Sequence, residues 1–260
     1  MRRVSRTLGA VRSSPRRGLR VLLYHGVGAP VPGDGYGMSV TSRAFAEQMH
    51  WLREESGYAI VSLGAAAEML AGGDIAGTAV AVTFDDGFIG VLTDAAPVLV
   101  RFNIPFSVFV VGGYLERSPL PGLYLDARGV RELATLPLAS IGAHGFTHRP
   151  LTRLGEEDLD TELRASRDAV GECVGKPPSA ISYPHGAVNH RVRVRARAAG
   201  FLTGVTSVTG VNRRGTPQLS LRRTEIVAGD TAAEFSRKVR GDYDWYGIRQ
   251  RLFWRVPVNR

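Results

Sequence analysis

The sequence contains one cysteine, Cys173, among its 260 residues. An internal disulfide is therefore excluded, which agrees with a reducing compartment without requiring one. Lysine is nearly absent too: Lys176 and Lys238 are the two examples, so arginine supplies almost all of the basic charge. No uninterrupted apolar run of about 18 residues or more occurs, and a transmembrane helix is not expected.

Positive charge is in excess, with a formal net charge of +9 at pH 7, and much of it lies in residues 1–18. This stretch lacks the continuous apolar segment of a secretory signal, so we expect a protein that is cytoplasmic or peripheral to the membrane. The arginines form either a disordered tail outside the fold or a segment attracted to anionic lipid or a phosphorylated substrate. No nucleic-acid recognition motif accompanies the charge, and we expect no nucleic-acid partner.

Apolar segments alternate with amphipathic ones along most of the chain. Several apolar segments are hydrophobic on both faces, as expected of buried parallel strands. The predicted strands are residues 20–24, 59–63, 79–84, 106–111, 139–142, 180–183, 203–206 and 221–226. Helices are predicted between them. One follows a cap at Thr41 or Ser42, one ends at Gly175, one spans residues 189–199, and a capping box at residues 231–234 opens the last. This alternation favours an α/β barrel or a doubly wound sheet.

Two short motifs each follow an apolar run. Residues 83–87 read TFDDG, and residues 144–148 read HGFTH. By itself an Asp-Asp-Gly sequence is also an ordinary turn, and a lone histidine is more often a packed or surface residue. Together the motifs supply an acidic pair and two imidazoles, which predict a divalent metal site with one carboxylate left over.

The chemistry of such a site is hydrolytic. One carboxylate and two neutral imidazoles leave the metal open positions for water and substrate. The metal lowers the pKa of bound water and polarises a carbonyl, while the spare carboxylate can accept a proton as general base. We therefore expect hydrolysis of an amide or an ester.

A third motif, SYPHG at residues 182–186, ends a further predicted strand in a turn that contains proline. A backbone N–H in such a turn can stabilise a developing oxyanion. The alternative is a plain strand-to-helix turn in which His185 is partly exposed.

Together these motifs resemble those of the polysaccharide deacetylases, the NodB-homology domain of carbohydrate esterase family 4. The first motif agrees as it stands, and the histidine motif has Gly145 where serine or threonine is more usual. The third looks like the Tyr-Pro-aromatic-Gly form. The resemblance spans about residues 21–240 and implies an α/β fold, a distorted (β/α) barrel with fewer than eight regular repeats.

The resemblance also implies roles for individual residues. Asp86, His144 and His148 would bind the metal, usually zinc but also cobalt or nickel. Asp85 would be the general base. The backbone N–H of His185 would face the oxyanion. The implied activity is removal of acetyl groups from N-acetylated sugars.

Three further residues are assigned to substrate binding. His25 lies in residues 24–27 (YHGV), which look like the first strand of the biofilm-polysaccharide branch of the family, and it could point into the pocket. The alternative for His25 is a hydrogen-bonded structural histidine. Tyr183 and Pro184 belong to the third motif and are placed beside the substrate.

The chain departs from the family pattern in two places. The third motif usually carries an arginine that orients the base, but Ile181 and Ser182 occupy that region. The late Leu-x-His motif, whose histidine acts as general acid, is absent, because no histidine follows His190. The acid role is therefore open to His185, to His25 or to a metal-bound water.

We divide the chain into a basic N-terminal tail (1–18), a NodB-like deacetylase domain (19–241) and a basic aromatic C-terminal appendage (242–260). In the appendage Trp245, Tyr246 and three later apolar residues are interleaved with arginines. This pattern suits either a helix packed on the barrel or peripheral contact with a membrane interface. Membrane contact would fit an N-acetylated sugar presented on a lipid carrier.

The expected function is a metal-dependent hydrolase that removes an acetyl group from an N-acetylated sugar or glycan. An O-acetyl esterase and another amide hydrolase on the same fold are the alternatives within this chemistry. A non-catalytic carbohydrate-binding barrel is the alternative outside it, because the acid histidine is missing. Retention of both Asp85 and Asp86 argues against that last alternative, since binding alone does not need a spare carboxylate.

Overall fold

A computed structural model describes residues 17–31, 35–73 and 75–253. Most of the predicted N-terminal tail and residues 254–260 of the predicted appendage lie outside the described residues. The strands are β1 (Gly18–Tyr24), β2 (Gly26–Val27), β3 (Ser39–Val40), β4 (Ala59–Ile60), β5 (Thr78–Phe84), β6 (Phe106–Val110), β7 (Ala139–Ala143), β8 (Ala180–Ser182), β9 (Thr203–Val205) and β10 (Arg223–Glu225).

Helices fill most of the connections between strands. The α-helices are α1 (Ser42–His50), α2 (Leu63–Gly72), α3 (Ala96–Arg101), α4 (Ala127–Ala134), α5 (Glu156–Val174), α6 (His190–Ala198), α7 (Ala232–Arg240) and α8 (Asp244–Phe253). Two π-helical turns adjoin α1 and α3, at Trp51–Glu55 and Val91–Ala95. Short 3₁₀ turns lie at Gly112–Tyr114, Leu151–Arg153, Pro184–Gly186 and Gln218–Ser220.

The main sheet has the strand order β10-β1-β5-β6-β7-β8-β9, with β4 paired to β5, and its strands are parallel. A parallel bridge between Val205 of β9 and Leu221 brings the last strand of this order close to the first. The sheet is therefore nearly closed, with helices around it. This confirms the predicted α/β fold, a distorted (β/α) barrel with fewer than eight regular repeats.

Hydrophobic composition explains the central strands. Every residue of β1 is buried, and so is β5 after its first residue. Strands that are covered on both faces need apolar residues at successive positions, which is the pattern that predicted them. The predicted strand at residues 59–63 is wrong in its second half: the Ser62 side chain accepts the N–H of Ala65, and α2 begins at Leu63.

Several helix ends follow their predicted signals. Of the two candidates, Thr41 rather than Ser42 caps α1, by accepting a backbone N–H with its side chain. The helix predicted from residue 189 is α6, and the Asn189 side chain caps it in the same way. Thr231 and Glu234 form the predicted capping box of α7. Gly175 ends α5 with a φ of +79°, a left-handed conformation that glycine adopts without a steric penalty.

Helix α8 is attached to the barrel by a buried ion pair. Arg20 of β1 donates to both carboxylate oxygens of Asp244, at 2.9 and 3.1 Å. The outer face of the helix exposes Trp245, Tyr246 and Ile248. Among the described residues, no helix combines the length and the apolar character needed to cross a bilayer.

The strand register sets where polar side chains collect. Tyr24 at the end of β1 pairs with Phe84 at the end of β5, and Val110 of β6 pairs with Ala143 of β7. Ser182 ends β8 beside Val205. Since the strands are parallel, the residues that follow them lie at one carboxyl edge of the barrel, the edge where barrels of this class place their sites.

Candidate metal centre

The structure brings the three predicted ligands together at this edge. The Nε2 atoms of His144 and His148 each lie 3.1 Å from Oδ1 of Asp86. One ligand atom from each residue lies within 4.8 Å of the others. His144 is buried, whereas Asp86 and His148 are partly exposed, so the group is reachable from solvent.

Left-handed backbone conformations aim these side chains. Asp86 and His148 have φ angles of +68° and +62°, and His185 has +57°. Non-glycine residues rarely adopt this region, and such strain collects at functional sites. At Asp86 the conformation turns the chain where β5 ends, which explains how adjacent carboxylates both reach the centre. Gly87, which follows with a φ of +72°, extends this bend.

A buried carboxylate braces the histidine loop. Oε1 of Glu162, on α5, accepts the N–H groups of Phe146 and Thr147 at 2.8 and 2.7 Å. Gly145 has a φ of +73°, and a Cβ there would lie 3.0 Å from Pro184 Cγ and 3.2 Å from the Glu162 oxygen. The departure from the family pattern at Gly145 thus fits a tight loop. Sequence reasoning missed Glu162, because nothing in an amphipathic helix marks one glutamate as buried.

The donor set suits a divalent metal. Nδ1 of His144 lies 2.9 Å from the carbonyl oxygen of Ser182, so a proton on Nδ1 leaves Nε2 free as a ligand, as is usual for metal-binding histidines. Burial raises the pKa of Asp86, but the close His144 and His148 imidazoles outweigh burial and hold it well below the ordinary value. The aspartate is therefore a carboxylate, and two imidazoles with one carboxylate match hydrolytic zinc sites.

The second aspartate is held by a side chain that sequence reasoning missed. Nη1 and Nη2 of Arg223, on β10, donate to the two carboxylate oxygens of Asp85 at 2.7 and 2.6 Å. Ser182 Oγ donates to Asp85 at 2.9 Å. The arginine expected in the third motif is thus supplied by a different strand. An arginine inside a short barrel strand needs a buried partner, but the sequence does not identify that partner.

This ion pair fixes the charge state of Asp85. Burial raises the pKa of the carboxyl, but the Arg223 guanidinium and the neighbouring His144 outweigh burial and lower it. His144 responds in the opposite direction: burial lowers its pKa, while Asp85 and Asp86 more than compensate and raise it. Asp85 is therefore ionised at neutral pH. It is not a member of the group of potential metal ligands, Asp86, His144 and His148.

His25 lies near the same carboxylates. Its charge contributes to the lowered pKa of both Asp85 and Asp86. Its Nδ1 atom is buried and makes no hydrogen bond with any other residue that the structure describes. The unpaired Nδ1 atom therefore argues against the alternative that His25 is a structural histidine held by hydrogen bonds.

The third motif needs a correction. Tyr183 is 0% exposed, and its hydroxyl donates to the carbonyl oxygen of Leu219 at 3.0 Å. Pro184 is buried as well and packs against Gly145. The predicted substrate contacts of these two side chains are wrong, because core packing leaves them no open surface; both instead set the position of the turn.

His185, the next residue, is exposed. Its ring centroid lies 4.7 Å from that of His148, and its Nε2 is 3.2 Å from the His148 carbonyl oxygen. Partial burial and the neighbouring His148 lower the pKa of the His185 imidazole.

The sheet is a nearly closed parallel barrel. Its carboxyl edge carries an Asp-His-His group and a buried carboxylate. These features define the class of NodB-type barrels that the motifs resemble. Residues 73–204 match the family model described as polysaccharide deacetylase. The chain belongs to the polysaccharide deacetylase family.

Individual relatives agree with this placement. The chain is 26% identical over 218 residues to YxkH of Bacillus subtilis, which carries a polysaccharide deacetylase assignment; the match covers 84% of this chain and 74% of that protein. It is 30% identical over 114 residues to the peptidoglycan-N-acetylglucosamine deacetylase PgdA of Listeria monocytogenes, covering 44% of this chain but 22% of that protein. The Streptococcus pyogenes deacetylase PplD shares the fold, with a TM-score of 0.77 at 23% identity over 87% of this chain and 99% of that one.

Proposed function

We propose that the protein is a metal-dependent hydrolase that removes an acetyl group from an N-acetylated sugar or glycan. The observation that carries this proposal is the pairing of two groups at one edge of the barrel: a complete metal-ligand set and an ionised carboxylate beside it that a buried arginine holds. The family supplies the acetyl-sugar chemistry. The name of the Listeria relative, a peptidoglycan-N-acetylglucosamine deacetylase, supports an amide rather than an ester as substrate.

Asp86, His144 and His148 would hold the metal, and zinc suits this donor set best, with cobalt or nickel as substitutes. When bound, such an ion supplies Lewis acidity and lowers the pKa of a bound water. No other donor in the described part of the chain completes a comparable group.

The remaining steps use the chain's own groups. Asp85 accepts the proton of the attacking water as general base. Arg223 and Ser182 hold the Asp85 carboxylate in place, so the base is already oriented before the reaction begins. The backbone N–H of His185, in the 3₁₀ turn Pro184–Gly186, would donate to the negative charge that develops on the acetyl carbonyl oxygen.

Two histidines are candidates for the general acid that protonates the leaving amine. His25 offers a buried Nδ1 without a partner, and His185 offers an exposed ring. The His25→Gln and His185→Gln variants distinguish them, because loss of the acid lowers kcat on an amide more than on an activated ester, whose leaving group needs no proton.

We further propose that the enzyme works in the cytoplasm or at a membrane surface, on a free or lipid-linked N-acetylated sugar. The aromatic and aliphatic side chains that α8 exposes, together with the net charge of +9, support peripheral contact with anionic lipid. Because Asp244 of this helix neutralises the buried Arg20, truncation before α8 would also damage the barrel. Point substitutions on the exposed face are therefore the sharper test.

The experiment combines metal analysis with acetate release. Purified protein is assayed on N-acetylglucosamine oligomers, on the same oligomers O-acetylated after chemical de-N-acetylation, and on a non-sugar acetamide, before and after chelation and zinc repletion. We expect acetate from the N-acetylated oligomers, loss of activity on chelation and its return with zinc.

Other outcomes select the alternatives. Acetate from the O-acetylated oligomers alone would make the protein an esterase, and turnover of the acetamide alone would make it a different amide hydrolase. Oligomer binding without metal or turnover would identify a non-catalytic binding barrel and overturn the proposal.

A further inference from the structure

Three aromatic side chains outside the metal-ligand and base residues form a cluster, Phe88, Tyr114 and Tyr124. Phe88 and Tyr124 are stacked, with ring centroids 4.9 Å apart and planes 25° apart. The ring of Tyr114 lies 5.0 Å from that of Tyr124. Phe88 is 3% exposed, whereas both tyrosines are partly exposed. The cluster therefore consists of two partly exposed tyrosine rings that pack, through Tyr124, on the buried ring of Phe88.

Backbone hydrogen bonds fix Tyr124 against the segment that carries the aspartate ligand. The N–H of Leu125 donates to the carbonyl of Gly87 at 2.8 Å, and the N–H of Ile89 donates to that of Leu123 at 2.9 Å. These bonds bracket Tyr124 on both sides. Its ring is thus placed in register with the residue that follows the two aspartates.

Tyr114 is fixed in the same way to the histidine loop. The N–H groups of Gly112 and Gly113 donate to the carbonyls of Gly145 and Phe146, each at 2.9 Å. A Cβ on Gly113 would lie 2.7 Å from the Phe146 carbonyl oxygen, so this close approach requires glycine. Tyr114 is the next residue after Gly113, so these two hydrogen bonds fix its position relative to the loop that carries His144 and His148.

The electrostatics agree with this placement. Burial raises the pKa of Tyr114 and Tyr124, and in both cases the charge of Asp86 raises it further. Both hydroxyls therefore stay protonated at neutral pH and act as hydrogen-bond donors. Each ring also lies within electrostatic range of the metal ligand.

We infer that Tyr114 and Tyr124 form a sugar-binding platform, on which the ring that carries the acetyl group, or its neighbour in a glycan, is held beside the metal centre. A pyranose presents C–H groups on its faces, and the face of an aromatic ring carries negative charge density that attracts them. The polar rim of the sugar can accept hydrogen bonds from the two hydroxyls. This inference rests on the proposed function.

The kinetic test compares variants that remove the ring with variants that keep it. Tyr114→Leu and Tyr124→Leu should raise the KM for N-acetylglucosamine oligomers about fivefold to tenfold, the value of a lost aromatic contact, with kcat within about twofold. Tyr114→Phe and Tyr124→Phe are the matched controls and should stay much closer to the wild type. Leucine variants with an unchanged KM for the oligomers would overturn the platform.

A second measurement leaves both tyrosines intact. N-acetylglucosamine oligomers are titrated with zinc-loaded Asp85→Asn protein, and the ring C–H signals of the sugar are followed by NMR. Stacking on a phenol ring should move these signals upfield. Absence of the shift, with acetate release by the wild type, would overturn the platform and leave the proposed function standing. An upfield shift without acetate release by the wild type would support the platform and overturn the proposed function. Absence of both the shift and acetate release would overturn the platform and the proposed function.

Discussion

Replacing Arg223 by methionine tests the ion pair that holds the candidate base. The side chains of Arg223 and Asp85 are 0% and 4% exposed, and two hydrogen bonds of 2.7 and 2.6 Å join them. Methionine keeps much of the volume but leaves a buried carboxylate without its cation. Removing one partner of a buried pair costs about 3–5 kcal/mol. At pH 7 the free energy of unfolding should fall by that amount, which corresponds to a Tm lower by about 10 °C for a chain of this size.

The difference in the free energy of unfolding between the wild type and Arg223→Met should shrink as the pH falls. In the wild type Asp85 has a folded-state pKa below its ordinary value, because Arg223 and His144 outweigh the effect of burial. Such a group stabilises the fold above its unfolded pKa of about 4, and this contribution is lost as the pH falls through the folded-state pKa. Without Arg223 the effect of burial gains weight, and the carboxyl takes up a proton at a higher pH. The difference between the two proteins should therefore narrow between pH 7 and about pH 4.

The assay is urea unfolding followed by tryptophan fluorescence on metal-free protein, so that loss of metal does not contribute. Arg20→Met is the matched control, since Arg20 is equally buried but pairs with Asp244. It should lose comparable stability and keep the rate of acetate release, whereas Arg223→Met should lose at least about 100-fold in kcat through its base. An Arg223→Met protein within about 1 kcal/mol of the wild type at pH 7 would refute the reasoning.

Three further predictions use simpler measurements. Asp85→Asn should keep its metal and lose most acetate release, whereas His144→Ala should lose both; a fully active Asp85→Asn enzyme would show that another group is the base. Thr231→Ala removes the N-terminal cap of α7 and should lower the free energy of unfolding by about 1 kcal/mol in urea, so an unchanged midpoint would contradict the capping argument. Combined Trp245→Ser and Ile248→Ser substitutions should weaken binding to anionic vesicles without changing metal content, and unaltered binding would rule out membrane contact through α8.

Local signals predicted a large part of the fold. The apolar run of β5 and the stripe of α5 ending at Gly175 were both readable, because burial on two faces or on one stripe has a fixed period in the sequence. The capping box at Thr231 was readable for the same reason: its two partners are three residues apart. At residues 59–63, where the apolar run predicted one strand, the strand ends at Ile60 and the Ser62 cap starts α2.

The site divides along a similar line. Asp86, His144 and His148 lie in two short motifs whose spacing is typical of metal ligands, and parallel strands that end at one edge bring such motifs together. By contrast, Arg223 meets Asp85 across 138 positions of sequence. Which strand supplies the guanidinium depends on near-closure of the barrel, and no local pattern records it.

From residue types at short and regular spacing, the sequence by itself predicted an α/β barrel or a doubly wound sheet and a metal site with one spare carboxylate. The resemblance of its motifs to the polysaccharide deacetylases then selected the barrel and assigned Asp86, His144 and His148 as ligands. Only the tertiary structure decided which buried cation holds Asp85, that Tyr183 belongs to the core rather than to the pocket, and that Tyr114 and Tyr124 form one cluster with Phe88. These depend on which distant segments share hydrogen bonds and exclude water together, and that follows from the packing of the whole chain.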